Sequence, residues 1–486
     1  MRNMKLTNVI LPGRDIHSRW DVGLESNTVT SIIPSSAELV STPASLVLPP
    51  LCHPHIHLDK PYLLTCNSDH YHLPRQPEEA QPTYTDLTPQ DGSFSEALTF
   101  TSRAKQRYTS ADLYLRGSQL LATSLAQGVT SCRAFVELDH VTSRSCLEAA
   151  VHLKNTFQGK FRLQICAFAQ DPIFSSEHGQ ENRQVLTHAL RECGAEVDVL
   201  GTTPYVEKSP EASLENIEWA IETALTRSLH LDFHLDYNLD ESQRPMVWDV
   251  VRLLKELNWN GRAKAGKTIV LGHCTRLALC TDVELAELAR EIKDSGLPIH
   301  FVGLPTSDLF MMARPVPQES SEKSRSAHRA RGTLQVLDMI NRFGFSACLS
   351  VNNVGNAFTP WGTGDPISLA SLGVGIYQAG TTSHAQTLFE CVSSRARAAI
   401  GLPTAPMSDT DSNAVPAEEA KDSVGIEDVI ELKEGRKGEL LVIRNEEWVG
   451  CPGHLGVKIP ARQRVHVRDV VWDPPEVRLR QVLRCV

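Results

Sequence analysis

Eight short apolar runs, each followed by polar, helix-patterned sequence, limit what this 486-residue chain can become. They lie at 47–57, 129–136, 161–168, 197–203, 230–235, 268–273, 298–303 and 345–351. Runs of this length, bounded by turn residues, read as buried strands. The segments between them read as amphipathic helices. One is expected to open at Thr281, with Glu284 three residues later completing a capping box, and to close near Gly296. Another starts near Pro245 and carries Val250, Val251, Leu253, Leu254 and Leu257. Eight such alternations predict a (β/α)8 barrel. An open doubly wound sheet would want a glycine-rich phosphate loop after an early strand, and none is evident.

The flanks differ. Residues 4–11, 20–24 and 28–33 read as short strands, as do 439–443, 464–467 and 470–472. Two β-rich ends that bracket a barrel predict one small β-sandwich built from both termini. The expected organisation is therefore 1–48 as the N-terminal part of the sandwich and 49–402 as the barrel. Residues 403–430, rich in Pro, Ser, Asp, Ala and Glu, read as a linker or insertion, and 431–486 as the C-terminal part of the sandwich. Long loops after the first and seventh strands, 60–94 and 315–332, are expected to form a lid, because such loops surround the active face of a barrel.

Composition narrows the partners. Net charge is −10 and the Lys and Arg residues are scattered, which argues against nucleic acid and against a polybasic membrane contact. No apolar run approaches the roughly 20 residues that span a bilayer. The N-terminus leads into a strand-like piece and not a signal peptide. The 12 cysteines lack CxxC pairs, which predicts reduced, buried thiols and a cytoplasmic location. A small-molecule substrate is the expected partner, and homo-oligomerisation is left open.

Four histidines stand at the C-terminal ends of expected strands. His55 and His57 close the first strand, His234 the fifth and His273 the sixth. Residues two apart on a strand share a side, so His55 and His57 can face one ion. Strand C-termini of a barrel converge on one mouth, and imidazole nitrogens suit zinc and iron. A second His-x-His, His70 and His72, sits among turn residues and shows that the pair alone is a weak signal.

The chain resembles the amidohydrolase superfamily, in its cytosine deaminase-like branch. The resemblance rests on Pro49-Pro-Leu-Cys-His-Pro-His55-Ile-His57-Leu-Asp-Lys60, Ala167-Phe-Ala-Gln170-Asp, His234-Leu-Asp-Tyr237 and His273-Cys-Thr. It continues through Leu304-Pro-Thr-Ser-Asp308-Leu and Asn352-Asn353-Val354…Pro360-Trp-Gly-Thr-Gly-Asp365, and so covers nearly the whole length. It implies one divalent metal ion, zinc or iron, held by His55, His57 and His234. His273 is implied to touch metal-bound water or substrate, and Gln170 to hydrogen-bond a heterocycle. Asp308 and Trp361, on the loops after the seventh and eighth strands, are expected to contact substrate.

Two positions depart from the family pattern. Its eighth-strand aspartate is Asn352 here, which offers a carbonyl oxygen but no base. Its glutamate three residues after the fifth-strand histidine is Tyr237, whose phenol has a reference pKa of about 10. Asp365 could reach in from the eighth-strand loop as a substitute base, whereas strand alternation turns Asp236 away from the mouth. His53 replaces an acidic residue and could support the site or add a ligand. The fourth strand has no lysine for a second metal, and Lys208 lies beyond it.

These residues are expected to serve a metal-dependent hydrolase of a C–N bond in a small cyclic metabolite, by deamination or amide or amidine hydrolysis. His273, Tyr237, Asn352 and Asp365 are the candidate catalytic groups. The competing expectations are a non-hydrolytic Lewis-acid cyclase, lyase or isomerase on the same scaffold, and a degenerate binding protein.

Overall fold

The structure, a computed structural model, describes residues 3–36, 43–67, 70, 82–312, 332–402, 430–449 and 459–484. Three strands, β1 (Asn3–Val9), β2 (Trp20–Glu25) and β3 (Thr28–Pro34), form an antiparallel meander. The expected first apolar run, 47–57, splits at Pro49-Pro50. Proline supplies no backbone donor to a ladder and favours a strand edge or break. β4 (Leu46–Leu48) therefore ends before the prolines and joins one sheet, while β5 (Leu51–His57) begins after them and joins another.

β5 opens a sheet of eight parallel strands. It continues through β6 (Val129–Glu137), β7 (Arg162–Ala169), β8 (Val199–Thr202), β9 (His230–Leu235), β10 (Ile269–His273), β11 (Ile299–Gly303) and β12 (Ala347–Leu349). Just past β12, Asn352 pairs with Ile56 of β5: the His57 N–H donates to the Asn352 carbonyl at 2.9 Å. That pairing draws the last strand back to the first and makes the barrel. Every residue of β6 is buried, as a strand covered on both faces requires. Helices lie between the strands. Thr281 and Glu284 form the expected capping box of Asp282–Ser295, and Gly296 ends that helix at φ 63°.

Inside the barrel, side chains stack in layers. Arg133 and Asp232, both fully buried, pair at 2.8 Å near the bottom. Above them Phe135, Phe168, Cys166 and Val199 form an apolar layer. The histidines rest on this layer: the His55 ring centroid is 4.1 Å from that of Phe135, and His234 is 4.4 Å from Phe168.

β4 pairs with β13 (Leu440–Ile443), which pairs with β14 (Arg480–Leu483), both antiparallel. This sheet and the N-terminal meander bury one shared core, including Val22, Leu24, Val29, Val47, Leu440 and Val442. The sandwich is thus built from both termini. Its closing strand is β14, and the strands expected at 464–467 and 470–472 are not there. Val467–Trp472 is instead a helix, because Asp469 accepts from the His466 N–H at 2.9 Å in a capping box. The expected linker falls at 403–429 outside the described residues. So do His72 and most of the segment 315–332. None of the ten described cysteines forms a disulfide, and no described helix is long and apolar enough to cross a membrane.

Candidate metal centre

The strand that carries His55 and His57 is not regular. Its register with β6 shifts between His53 and Ile56, a β-bulge that re-aims the side chains after it. His53 consequently points outward, with Nε2 3.4 Å from Ser124 Oγ on the helix Ser110–Gln127. Burial pushes its pKa down to about 4. It takes no place among the clustered imidazoles, so of the two roles open to it, supporting the site or adding a ligand, the second is not seen. His55, within the bulge, and His57, beyond it, face the barrel axis.

His234, one residue before the end of β9, lies between them. Its Nε2 lies 3.1 Å from His55 Nε2 and 3.3 Å from His57 Nε2. A ring nitrogen of His273, at the end of β10, lies within 4.8 Å of those of His55 and His234. All four rings are at least 97% buried. Gly272 makes room for the arrangement, since a Cβ there would sit 2.9 Å from His55 Cε1. Burial first, then the neighbouring imidazoles and Lys60, holds His55, His57 and His234 well below the usual histidine range. They are neutral, with lone pairs to give. Their Nδ1 atoms are buried and have no hydrogen-bond partner among the described residues. Neutral, converging imidazoles with unsatisfied nitrogens fit a divalent metal ion.

His273 is aimed separately. Its Nδ1 is 2.9 Å from Asp308 Oδ1, and Thr333 Oγ1 donates to Asp308 Oδ2 at 2.7 Å. A carboxylate on Nδ1 fixes the ring and the tautomer that leaves Nε2 toward the cluster. Asp308 was expected to contact substrate; its geometry instead makes it the partner that orients His273. The Tyr237 ring lies 4.0 Å from that of His273. Burial, then Asp308 and Tyr205, pushes the Tyr237 phenol well above its ordinary value. Tyr237 also packs with Phe94, Phe358 and Met311, an apolar cap drawn from loops after β5, β9, β11 and β12.

Asn352, at φ 61°, lies against His55. Its Nδ2 donates to Ser307 Oγ at 2.7 Å, and its Oδ1 is buried without a hydrogen-bond partner among the described residues. Asp236 points away, as strand alternation requires, and its carboxylate accepts from the N–H groups of Met246 and Val247 at 2.7 and 3.2 Å. Asp365 is not brought to the histidines. It accepts the Ile367 N–H at the start of the helix Pro366–Ile376 and pairs with Arg480 at 2.6 and 2.9 Å. Its expected role as a substitute base has no geometric support. Gln170 follows β7, half-buried at the mouth, while Trp361 is 50% exposed. Lys208 is exposed in a loop.

A buried ion network beside His57 escaped the sequence reading. Lys60 and Lys105 both pair with Glu137, and Lys105 also reaches Asp139 at 2.8 Å. Asp59 Oδ2 accepts the Glu137 N–H at 2.8 Å. Burial would raise the Glu137 pKa, but the two lysines outweigh it and hold it low. Burial and Glu137 push Asp59 up to about 6. Nitrogen or oxygen atoms of His57, Asp59 and Glu137 lie within 4.8 Å of one another. The missed signal was position: Glu137 ends β6 at the same barrel face as the histidines.

Solved structures share this architecture. That of 5-methylcytosine deaminase from Klebsiella pneumoniae, liganded with phosphonocytosine, matches with a TM-score of 0.70 at 19% identity, over 96% of this chain and 94% of the other. The chain shares the fold of that deaminase. N-isopropylammelide isopropylaminohydrolase from Burkholderia multivorans ATCC 17616 matches at a TM-score of 0.65 and 17% identity, over 100% and 97% of the two chains. An atrazine chlorohydrolase from Arthrobacter aurescens TC1, complexed with zinc, matches at 0.53 and 14%, over 96% and 90%. No family model and no curated protein sequence matches the chain.

Proposed function

We propose that this chain is a metal-dependent hydrolase of a C–N bond, deaminase-like, acting on a small cyclic metabolite. The observation that carries this reading is the convergence of four buried imidazoles at the mouth of a barrel shared with deaminases. His55, His57 and His234 would hold one divalent ion, zinc or iron, with Asn352 Oδ1 as a neutral neighbour. When bound, such an ion supplies Lewis acidity and lowers the pKa of water. A single ion suits the cluster, because Lys60 and Lys105 already neutralise Glu137, a carboxylate beside His57.

The chain's own groups then handle orientation and protons. His273, fixed by Asp308, offers Nε2 as an acceptor toward the same cavity. Tyr237 keeps its proton at neutral pH, because burial disfavours the phenolate. It therefore serves as a hydrogen-bond donor to the leaving nitrogen and not as the initial base. Phe94, Phe358 and Met311 beside it keep bulk water off that hydrogen bond.

The protonated phenol and the neutral Asn352 also favour a second reading, a non-hydrolytic Lewis-acid cyclase, lyase or isomerase with Tyr237 as acid. Zinc- and iron-loaded protein incubated with aminopyrimidines, aminotriazines and cyclic amidines separates the two. Ammonia or amine release on any of them supports hydrolysis. Metal-loaded protein that converts a cyclic metabolite without releasing either supports the second reading.

A further inference from the structure

Ser307 holds Asn352, one of the two positions at which this site departs from a carboxylate-bearing one. It lies on the short helix Pro305–Met311, directly after β11 and next to Asp308. Its side chain is 1% exposed. Its Oγ accepts from Asn352 Nδ2 at 2.7 Å. An amide has two chemically opposite ends, and a flip exchanges a metal-seeking oxygen for an NH2 that repels a cation. In this site only one end has a partner among the described residues. Nδ2 is spent on Ser307, while Oδ1, buried and unpartnered, lies on the side of His55. A carboxylate would need no such device, because its two oxygens are equivalent.

We propose that Ser307 is a positioning residue that locks the Asn352 amide with its carbonyl oxygen toward the metal position. This rests on the metal reading above. One hydroxyl thereby makes an asparagine serviceable where an aspartate would serve unaided. The neighbouring Asp308 does the same for His273, so a single helical turn sets two groups of the site.

The test is zinc affinity, measured by competition with a chromophoric chelator, on protein whose folding is checked by circular dichroism. Losing a group that orients a metal neighbour costs about 10–100-fold in affinity. Ser307→Ala is expected to weaken zinc by at least about tenfold, and Ser307→Thr, which keeps the hydroxyl, to recover most of it. In an Asn352→Ala background, Ser307→Ala should add less than about twofold, because no amide remains to orient. In an Asn352→Asp background it should also add little, because either carboxylate oxygen can face the ion. Full affinity in Ser307→Ala, or equal losses with and without Asn352, would overturn the proposal and leave the metal reading intact. A wild-type protein that binds neither zinc nor ferrous iron would overturn both.

Discussion

Replacing Asp365 by alanine should unfold this protein more readily without touching its metal centre. Asp365 accepts four hydrogen bonds: from the Ile367 N–H at 3.1 Å, from Ser368 Oγ at 2.6 Å and from two Arg480 nitrogens at 2.6 and 2.9 Å. Both partners of the ion pair are at least 93% buried. Removing one partner of a buried pair strands the other charge and costs about 3–5 kcal/mol. Losing the helix cap adds about 1 kcal/mol. The sum, about 4–6 kcal/mol, is a large share of the 5–15 kcal/mol typical of a folded domain. Urea denaturation of metal-free protein, followed by circular dichroism, reads this loss directly. The double variant Asp365→Leu with Arg480→Met should lose less than the sum of the single changes, since neither charge is then stranded. Burial alone would raise the Asp365 pKa, but Arg480 outweighs it and holds it low. A depressed carboxylate stabilises the fold above its unfolded pKa of about 3.9 and loses that effect as pH falls through the folded value. The gap between wild type and variant should therefore stay constant from pH 8 to about pH 4 and close only below. A variant that loses less than 1 kcal/mol while zinc affinity collapses would refute this and return Asp365 to the site.

His234→Ala should lower bound zinc to well below one per chain, as measured by elemental analysis, while the far-ultraviolet spectrum is kept. Tyr237→Phe should retain zinc yet lose about 10²–10⁴ in turnover; an unchanged rate makes Tyr237 a wall. Asp308→Asn should also keep zinc and slow turnover by at least about tenfold, because His273 loses its fixed tautomer. His230, buried under Thr268 and pushed down to about 2 by that burial, is neutral when folded and takes up a proton when unfolded below about pH 6.5. Stability should thus fall with acidification by about 1.4 kcal/mol per pH unit from this group, and His230→Gln should remove that slope.

Much of this was legible in advance because barrels repeat. Eight apolar runs and four histidines at strand ends suffice to predict the barrel and the mouth, since the strand C-termini have only one place to converge. What was hidden depended on local irregularity. The bulge between His53 and Ile56 turns one histidine out of the site and two into it, and pattern alone cannot place a bulge. Asp365 read as a base because a carboxylate near the mouth looks reactive, whereas its partner Arg480 lies far off in sequence. Val467–Trp472 carries valines that favour strands, but a capping box at its start made it helical. Ser307 had no sequence signature, because its importance lies in a hydrogen bond to a residue 45 positions away.

The sandwich has a consequence for how the chain is made. Val22, Leu24 and Val29 belong to a core whose other wall includes Leu440 and Val442. About 400 residues separate the two walls, and ribosomes extend a chain at about 5–20 residues per second. The first meander therefore waits roughly 20–80 s with its apolar face uncovered while the whole barrel is synthesised. During that interval the nascent chain presents a sticky β-surface to the cell, and early chaperone engagement of residues 3–34 is the expected safeguard.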